Sequence, residues 1–374
     1  MKIGIDARML GKGFGLARYV EQLIGGLLDS DSENEYVIFL REESFVQKTT
    51  DHRPQTTNNV KYVLVDIDWY SFEEQIKFTN IIKKEKVDLM HFPHWNVPLF
   101  YNDPFVVTIH DLIMYHYPRP EATTLGPIKF WLKDKMHRVI VNHAVKKAQH
   151  VLVTSDFTKY DVHETLGVNL DKMTVVYQAP FERITKTKVL DKYNIKEPYV
   201  LYVGAAYPHK NLERLLQAWK IFCEDHDNGY QLIFVGKEDY FYKKLVTSYK
   251  LLVTNFKYLG FVSDLELEEL YDNAKLFVFP SLYEGFGLPP LEAMSHGVPV
   301  VASSSTCLPE VLGEGSLYFD PENVEQMAGT IYIGLTNEDI RSTLRQNAKH
   351  ELLRYSSSRF IALILERYQK FARQ

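Results

Sequence analysis

Two glutamates, Glu284 and Glu292, flank a turn rich in glycine and proline, and their spacing suits the binding of a polyhydroxylated ligand. The segment 279–293 reads FPSLYEGFGLPPLEA. An apolar strand, a turn and a helix start would place both side chains at one cleft, Glu284 in the strand-end loop and Glu292 about one turn inside the helix. Ionised carboxylates only accept hydrogen bonds, which suits vicinal hydroxyls of a ribose or hexose. Two unrelated surface carboxylates are a common alternative, but they do not account for the adjoining Glu-Gly-Phe-Gly-Leu-Pro sequence.

Three further loops follow apolar runs and carry residues suited to a ligand. In 203–212 (VGAAYPHKNL), Lys210 lies at a predicted helix start, where the helix dipole disfavours a cation unless an anion is present. A solvated lysine is the alternative. The glycines of 11–15 (GKGFG) let backbone N–H groups approach an anion, but their spacing is neither a P-loop nor a dinucleotide motif, and a plain tight turn explains them equally well. In 108–111, His110 can donate to a ligand oxygen, unless the His-Asp pair merely closes a loop.

Alternation of short apolar runs with helical patterns predicts the elements that carry these loops. We predict strands at 2–6, 36–40, 62–66, 87–92, 105–110 and 151–155, and again at 199–204, 231–236, 258–261, 276–280 and 298–303. Helices are predicted at 16–28, 72–84, 127–148, 158–166, 211–223, 240–254, 264–273, 290–295, 324–335 and 338–353. Such alternation is typical of parallel sheets covered by helices, and the number of strands favours two α/β, doubly wound domains. The polar segment 178–198 is the predicted linker.

Composition limits the class of protein. The chain has 374 residues, of which 45% are hydrophobic and 24% charged, values typical of soluble globular proteins. A net charge of −5 gives no general attraction to nucleic acid, and none is expected as a partner. Two cysteines, Cys223 and Cys307, are too few for a disulfide framework, which favours a reducing cytoplasmic location. No apolar run reaches the roughly 18 residues of a membrane span.

Taken together, these motifs resemble the retaining glycosyltransferases of family 4, the group 1 glycosyltransferases. The resemblance rests first on the Glu-x7-Glu motif from Glu284 to Glu292, and it runs essentially end to end through 4–8, 13–18, 91–98, 108–112, 204–212, 260–262 and 308–311. It implies the GT-B fold, in which two Rossmann-like domains face each other across a cleft. The implied domains are 1–180 with a returning C-terminal helix 357–374, on the acceptor side, and 190–356, which binds the nucleotide-sugar. The pattern is most similar to mannosyl- and related hexosyltransferases of bacterial surface polysaccharide synthesis.

The resemblance also implies roles for individual residues. Glu292 would bind the ribose hydroxyls of the donor, and Glu284 a hydroxyl of the transferred sugar. Lys210 would neutralise the diphosphate, and His110 would contact the sugar. The remaining donor contacts would come from the loop at Gly13 and Gly15, from His209, and from backbone amides at Gly285, Phe286, Gly287 and Leu288.

One position departs from the family pattern. Relatives often have an arginine directly after Gly204 or directly before Lys210, where this chain has Ala205 and His209. The diphosphate would then be held by one fixed cation and a titratable histidine.

Two alternative functions remain, an epimerase of the same fold and a partner subunit that binds nucleotide-sugar without turnover. GDP-mannose is the donor expected from the resemblance, and a glycan or a lipid-linked sugar the acceptor.

Two further expectations concern metal and membrane. No catalytic metal or cofactor is expected, because a lysine, helix starts and glycine amides can replace a divalent ion at a diphosphate. The stretch 127–147 interleaves basic residues with apolar ones, which suits either peripheral contact with an anionic membrane or an ordinary helix packed on the sheet.

Overall fold

The computed structural model describes residues 1–11, 15–42, 44, 59–120, 126–180, 189–195, 198–225, 229–249, 253 and 255–371, without the side chains of residues 127 and 189. These residues form two compact units. The first contains the described residues of Met1–Tyr115, Leu125–Gln178 and Ser356–Gln374, and the second those of His116–Thr124 and Ala179–Tyr355. The short segment that begins at His116 therefore belongs to the second unit, whereas the sequence placed it in the first domain.

The first unit is a parallel sheet covered by helices. Its strands are β1 (Lys2–Asp6), β2 (Glu35–Leu40), β3 (Val60–Leu64), β4 (Leu89–Phe92), β5 (Phe105–Ile109), β6 (His150–Val153) and β7 (Met173–Val175). Its helices are α1 (Gly15–Ser30), α2 (Thr79–Glu85), α3 (Ile113–His116), α4 (Gly126–Lys147) and α5 (Asp156–Leu166), with a π-helical turn at Glu74–Phe78 and a 3-10 turn at Leu170–Lys172.

All neighbouring strands of this sheet run parallel, in the order β3-β2-β1-β4-β5-β6-β7. In β1, Ile3 lies opposite Tyr36 of β2 and Leu89 of β4. The strands are apolar almost throughout because both faces of the sheet are covered. The strand order changes direction between β1 and β4, which is where doubly wound sheets bind ligands.

The last helix of the chain, α14 (Ser357–Phe371), packs on this first sheet. Its residues Phe360, Ile361, Ile364 and Tyr368 are buried in the core that β1 and α1 share. The approach to α1 is close, since a Cβ atom at Gly26 would lie 2.4 Å from Cγ1 of Ile361. The apolar face of residues 358–371 thus has the partner that its sequence requires.

The second unit repeats the architecture. Its strands are β8 (Tyr199–Val203), β9 (Gln231–Val235), β10 (Phe256–Tyr258), β11 (Leu276–Phe279), β12 (Val300–Ser303) and β13 (Ser316–Phe319). Its helices are α6 (Val189–Lys192), α7 (Leu212–Asp225), α8 (Tyr240–Tyr249), α9 (Asp264–Asp272), α10 (Leu288–Ser295), α11 (Leu308–Leu312), α12 (Val324–Thr336) and α13 (Glu338–Leu352), with 3-10 turns at Pro208–Lys210 and Gly313–Gly315.

The second sheet is also parallel, in the order β10-β9-β8-β11-β12-β13. Its order reverses between β8 and β11, and the two loops that leave these strands carry Lys210 and Glu284. The predicted α/β class with two doubly wound domains is confirmed. Strands β7 and β13 and the short helices α3, α6 and α11 were not predicted, and α6 lies in the predicted linker 178–198. The predicted helix 72–84 is divided into a π-helical turn and α2.

Candidate active site in the second domain

The loop after β8 places Lys210 at the switch point of the second sheet. Lys210 is the last residue of the 3-10 turn Pro208–Lys210, and Asn211 follows with φ of 60°, a left-handed conformation that asparagine tolerates well. The Asn211 side chain donates to the carbonyl oxygens of Pro280 (3.1 Å) and Pro321 (2.7 Å). Asn211 therefore fixes the Lys210 loop against the loops that follow β11 and β13.

Lys210 and Glu284 form an ion pair across the two loops. Nζ of Lys210 lies 2.5 Å from Oε1 of Glu284. The two side chains are 16% and 9% exposed, so both charges have lost most of their water. The backbone N–H of Glu284 donates to Oγ1 of Thr306 at 3.1 Å, and the N–H of Leu282 donates to the carbonyl of His209 at 2.7 Å. These bonds hold a cation and an acceptor carboxylate side by side at the strand ends.

Helix α10 begins beside this pair and carries the second glutamate. Gly287 is its N-cap with φ of 94°, a conformation that favours glycine, and a Cβ atom there would lie 2.9 Å from Cδ2 of Leu308. Of the first three residues of α10 only Leu288 has a backbone N–H, since Pro289 and Pro290 have none, so the helix start offers this N–H and the positive end of the helix dipole. Glu292, in the second turn, is 6% exposed, and its Oε2 accepts a hydrogen bond of 3.1 Å from the hydroxyl of Tyr271.

The neighbouring donor residues of the predicted site are placed as follows. Gly285 and Phe286 are buried and continue the turn that begins at Glu284, and Leu288 is partly exposed. The Phe286 carbonyl accepts a hydrogen bond of 3.3 Å from Sγ of Cys307. Hence the structure brings together Lys210, Glu284, Glu292 and the backbone of 285–288 around one switch point. The contacts of these groups with a donor stay predictions.

His209 does not fit the expectation of a pH-dependent charge. Its side chain is buried, and burial, with smaller contributions from the positive charges of Lys210 and Arg119, lowers its pKa from 6.5 to about 2. A group with that pKa is neutral between pH 5.5 and 8.5. His209 therefore adds no charge to the site of the ligand-free protein, and the titratable histidine expected beside Lys210 is not a second cation there.

A segment that the sequence did not assign to the site packs on both of its loops. The ring of Tyr117 lies 6.0 Å from that of His209 and 6.0 Å from that of Tyr283, measured between centroids. Two residues on, Cζ of Arg119 lies 3.9 Å from the centre of the Tyr207 ring. No local pattern marks this segment, because its contacts join residues about 90 to 165 positions apart.

His110 lies at the carboxyl end of β5 in the first unit. Its Nε2 donates to the carbonyl of Pro93 at 2.9 Å, and its ring meets the edge of Tyr19 with centroids 4.6 Å apart. Burial lowers its pKa from 6.5 to about 4, although the bond to Pro93 acts in the opposite direction. The backbone therefore orients a neutral imidazole, and the contact of His110 with the transferred sugar stays a prediction.

The first unit also holds a buried polar cluster that the sequence reasoning missed. Arg8, two residues after the end of β1, pairs with Asp6 (2.8 Å) and with Glu74 (2.6 Å). Asn96 donates to the same Glu74 carboxylate at 2.8 Å. The π-helical turn that begins at Glu74 supplies this carboxylate. Of the predicted glycine loop nearby, Gly13 lies outside the described residues, and Gly15 is the first residue of α1.

The described residues contain neither a metal-binding cluster nor a membrane-spanning helix. No group of three or more His, Cys, Asp or Glu side chains in that part of the chain could hold a metal ion. The Asp-x-Asp at Asp66 and Asp68 is engaged by Arg41, whose Nη2 lies 3.9 Å and 3.1 Å from their carboxylates. None of the helices within the described ranges is long and apolar enough to cross a membrane.

Comparison with known families gives two matches that together span most of the chain. Residues 15–179 match "Glycosyltransferase Family 4" and residues 185–351 match "Glycosyl transferases group 1". The O-antigen chain mannosyltransferase RfbU of Salmonella typhimurium is 30% identical over 266 residues, which cover 70% of this chain and 69% of that protein. The O-antigen chain mannosyltransferase B of Escherichia coli is 32% identical over 63% of this chain and 62% of its own length.

Solved structures with the same fold include glycosyltransferases. Sucrose-phosphate synthase from Thermosynechococcus elongatus superposes with a TM-score of 0.76 at 20% identity, over 100% of both chains. WaaG, a glycosyltransferase involved in lipopolysaccharide biosynthesis, gives a TM-score of 0.72 at 15% identity, over 97% of this chain and 98% of its own. The fold is therefore GT-B. With the identity to RfbU and the two family matches, this shows that the chain belongs to the family 4, group 1 glycosyltransferases.

Proposed function

We propose that the protein transfers a hexose from a nucleotide-sugar to an acceptor hydroxyl with retention of configuration. The observation that carries this proposal is the buried pair of Lys210 and Glu284 at the switch point of the second sheet, with Glu292 on the adjoining helix. A cation next to two carboxylates suits a ligand that is anionic at one end and rich in hydroxyls at the other. A nucleotide-sugar is such a ligand.

The chemistry that these groups supply is stabilisation of charge. Transfer breaks the bond between the sugar and the diphosphate, which leaves negative charge on the leaving group and positive charge on the sugar. Lys210 and the backbone N–H groups of Phe286, Gly287 and Leu288 stabilise the leaving diphosphate. Glu284 accepts a hydrogen bond from the transferred sugar, and Glu292 accepts from the ribose. Because the Lys210 ammonium already contacts Glu284, one pair positions both ends of the scissile bond.

Retention requires that the acceptor attacks from the face that the diphosphate leaves. We propose that a phosphate oxygen of the leaving group takes the proton of the acceptor hydroxyl on that face. A neutral His110 can donate a hydrogen bond or accept one, but with a pKa of about 4 it is not protonated at neutral pH. His110 is therefore assigned to sugar contact and not to acid catalysis.

The relatives support a mannose donor and a role in surface polysaccharide synthesis. The first curated relatives are named O-antigen chain mannosyltransferases. A glucose nucleotide is the main competitor, since a structural neighbour from Anabaena is described in complex with UDP-glucose. We propose GDP-mannose as the donor and a glycan or lipid-linked sugar as the acceptor.

A panel of nucleotide-sugars tests the proposal without knowledge of the acceptor. GDP-mannose, UDP-glucose and their epimers are first screened for protection against thermal unfolding, because a ligand at 100 times its dissociation constant adds about 2.7 kcal/mol. The protecting donor is then incubated without acceptor. Slow release of the free sugar in its original anomeric form supports a retaining transferase, and Glu284→Gln should abolish it. Epimer formation indicates an epimerase instead, and protection without turnover indicates a binding subunit.

The proposed reaction needs no divalent ion, because Lys210 and the backbone N–H groups of residues 286–288 take the role that a metal has at other diphosphates. Donor turnover should be the same with EDTA as with added manganese. Activity that EDTA removes and manganese restores would contradict this part of the proposal.

We further propose that the first half of α4 contacts anionic lipid. Five apolar side chains at helical spacing are about half exposed or more, namely Ile128, Trp131, Leu132, Met136 and Val139. Basic side chains lie among them, and Nζ of Lys135 is 3.9 Å from the centre of the Trp131 ring. Apolar side chains that enter the interface beside lysines that meet lipid phosphates are typical of peripheral helices.

Co-sedimentation with vesicles tests this surface. Vesicles containing phosphatidylglycerol should retain the protein more than vesicles of phosphatidylcholine alone. Trp131→Ala with Leu132→Ser should reduce binding, while Tyr160→Ala, which removes another exposed aromatic side chain of the same unit, should not. Equal binding to both kinds of vesicle would refute the proposal.

A further inference from the structure

We propose that Gln178 and His110 together bind one hydroxyl group of the transferred sugar, which makes Gln178 a specificity-determining residue for the donor. This inference rests on the proposed function, since it assumes that a nucleotide-sugar presents its sugar to His110. Both side chains belong to the first unit, in which Gln178 is the last residue before the chain enters the second unit at Ala179. The sequence placed Gln178 only in the predicted linker.

His110 is held in one orientation by its neighbours. Its carbonyl oxygen accepts from the hydroxyls of Thr154 at 2.8 Å and Thr158 at 3.4 Å, which connects the end of β5 to the residue after β6 and to α5. The imidazole meets the edge of the Tyr19 ring, and its Nε2 lies 2.9 Å from the carbonyl oxygen of Pro93. These contacts restrict rotation of the ring, so the two ring nitrogens have fixed positions.

The contact with Pro93 assigns the hydrogen atom of the ring. A backbone carbonyl can only accept a hydrogen bond, so Nε2 of His110 carries the hydrogen that it donates to Pro93. Burial lowers the pKa of His110 from 6.5 to about 4, and the ring is therefore neutral at neutral pH. A neutral imidazole with its hydrogen on Nε2 has a lone pair on Nδ1. His110 thus offers a ligand an acceptor at Nδ1, while its one N–H is already engaged.

The side-chain amide of Gln178 faces this acceptor. Gln178 is 4% exposed, and its Nε2 lies 3.5 Å from Nδ1 of His110. An amide NH2 group only donates, so this orientation agrees with a lone pair on Nδ1. The distance is long for a hydrogen bond, for which about 2.9–3.0 Å is usual. The bond is therefore weak, and a ligand hydroxyl that binds Nδ1 displaces little.

A hydroxyl is the ligand group that fits this pair of atoms. His110 is partly exposed at the carboxyl end of β5, the edge at which parallel sheets bind ligands. A hydroxyl that lies beside both atoms can donate to Nδ1 of His110 and accept from the amide of Gln178. A phosphate or carboxylate oxygen has no hydrogen to donate to Nδ1, and an ammonium group cannot accept from the amide. The pair should therefore distinguish a sugar hydroxyl from hydrogen and from fluorine, which cannot donate.

The experiment measures by calorimetry how tightly the protein binds analogues of its donor. The donor is GDP-mannose, or the nucleotide-sugar that the thermal screen selects, and each analogue has one sugar hydroxyl replaced by hydrogen or by fluorine. Affinity is measured instead of turnover, because fluorine also withdraws electrons and slows cleavage of the sugar–phosphate bond. At one position of the sugar, both replacements should weaken binding to the wild type by about 10-fold or more, the size expected for two hydrogen bonds between neutral groups.

Variants identify the residues that cause this discrimination. Gln178→Leu, which removes the amide, should reduce it at that position to about threefold, the size of the remaining bond to His110, and should leave the other positions unchanged. Gln178→Glu keeps the shape of the side chain but removes the donor, and it should have the same effect. His110→Phe should abolish the discrimination at the same position. Gln75→Leu is the matched control, because it removes another buried glutamine of the first unit, whose Oε1 accepts from the N–H of Leu99 at 2.7 Å.

The outcomes separate this inference from the proposed function. Reduced discrimination at one shared position in the Gln178 and His110 variants, with an unchanged Gln75→Leu control, supports it. A wild type that tolerates fluorine at every position where it rejects hydrogen overturns it, because no sugar hydroxyl would then donate to Nδ1. Equal weakening of the donor and all its analogues by Gln178→Leu also overturns it, since Gln178 would then only stabilise the fold. If Gln178→Leu discriminates as the wild type does while Glu292→Gln weakens the donor, the inference fails and the proposed function stands. If the wild type binds no nucleotide-sugar, both fail.

Discussion

Breaking the Lys210–Glu284 pair should destabilise the protein even when no donor is present. The pair joins Nζ and Oε1 at 2.5 Å, and the two side chains are 16% and 9% exposed. Removing one partner of a buried pair costs about 3–5 kcal/mol, because the other charge stays buried. The small remaining exposure favours the lower end, so Lys210→Met should lower the free energy of unfolding by about 3 kcal/mol.

A double-mutant cycle isolates the interaction from the effects of each side chain alone. Glu284→Gln leaves the ammonium buried but keeps a neutral acceptor for it, so this variant should cost about 2 kcal/mol, the value of a hydrogen bond to a charged group. The double variant should cost less than the two single variants together, with a coupling of about 2 kcal/mol. Urea unfolding at pH 7 without nucleotide measures all four proteins. The control cycle uses Lys220 and Glu224, which lie 3.5 Å apart at 52% and 63% exposure and should couple by about 0.5 kcal/mol or less.

The same variants connect the pair to activity. Lys210→Met, measured at a temperature where this variant is fully folded, should lower donor affinity and turnover by about tenfold or more each. Turnover falls as well as affinity because the negative charge on the diphosphate increases as it leaves, which strengthens its attraction to Lys210 in the wild type. A coupling below about 0.5 kcal/mol would refute the ion pair in the free protein. Binding and turnover both within about twofold of the wild type would mean that the diphosphate is held elsewhere.

Three other predictions follow from packing, polar contacts and titration. Gly26→Ala should destabilise the protein by about 1–3 kcal/mol in urea, because its Cβ would meet Ile361 at 2.4 Å, whereas Gly25→Ala, with nothing within 4 Å, should be neutral or slightly stabilising. Glu292→Gln should weaken GDP binding in calorimetry by about tenfold or more, and Tyr271→Phe, which removes the 3.1 Å bond to Glu292, by less. Because the pKa of His209 falls from 6.5 to about 2 on folding, the unfolded chain binds the proton more tightly, and stability is lost as pH falls below 6.5. Between pH 7 and 5 the free energy of unfolding falls by about 2 kcal/mol from this cause. His209→Gln should remove that part of the pH dependence in urea unfolding, and the part that comes from protonation of Glu and Asp should remain.

The sequence predicted two parallel α/β domains and the main loops because both follow from local patterns. Apolar runs of four to six residues between helical segments are sufficient for parallel strands that are buried on both faces. The loop positions of Lys210 and Glu284 follow from the strand ends. Strands β7 (Met173–Val175) and β13 (Ser316–Phe319) escaped prediction because they are short edge strands with too few residues to show a period.

What the sequence could not predict depends on contacts between distant residues. The burial of His209 comes from Tyr117 and Tyr207, and the residues from His116 on join the second unit through rings that lie far along the chain. A histidine that neighbours a lysine in sequence is not thereby a second charge, because its protonation is decided by tertiary burial. The polar cluster of Arg8 and Glu74 likewise joins residues 66 positions apart.

Helix α14 has a consequence for how the chain acquires its structure during synthesis. Its buried residues, among them Phe360 and Tyr368, complete the core of the first unit, yet they leave the ribosome after the whole second unit. Domains usually fold as units in the order in which they emerge. Here the first sheet emerges with α1 incompletely covered and waits for nearly 180 residues, the length of Ala179–Tyr355, before its last helix arrives. The second unit is thus complete first, and a nascent chain arrested before Ser357 should expose an apolar surface on α1 to chaperones.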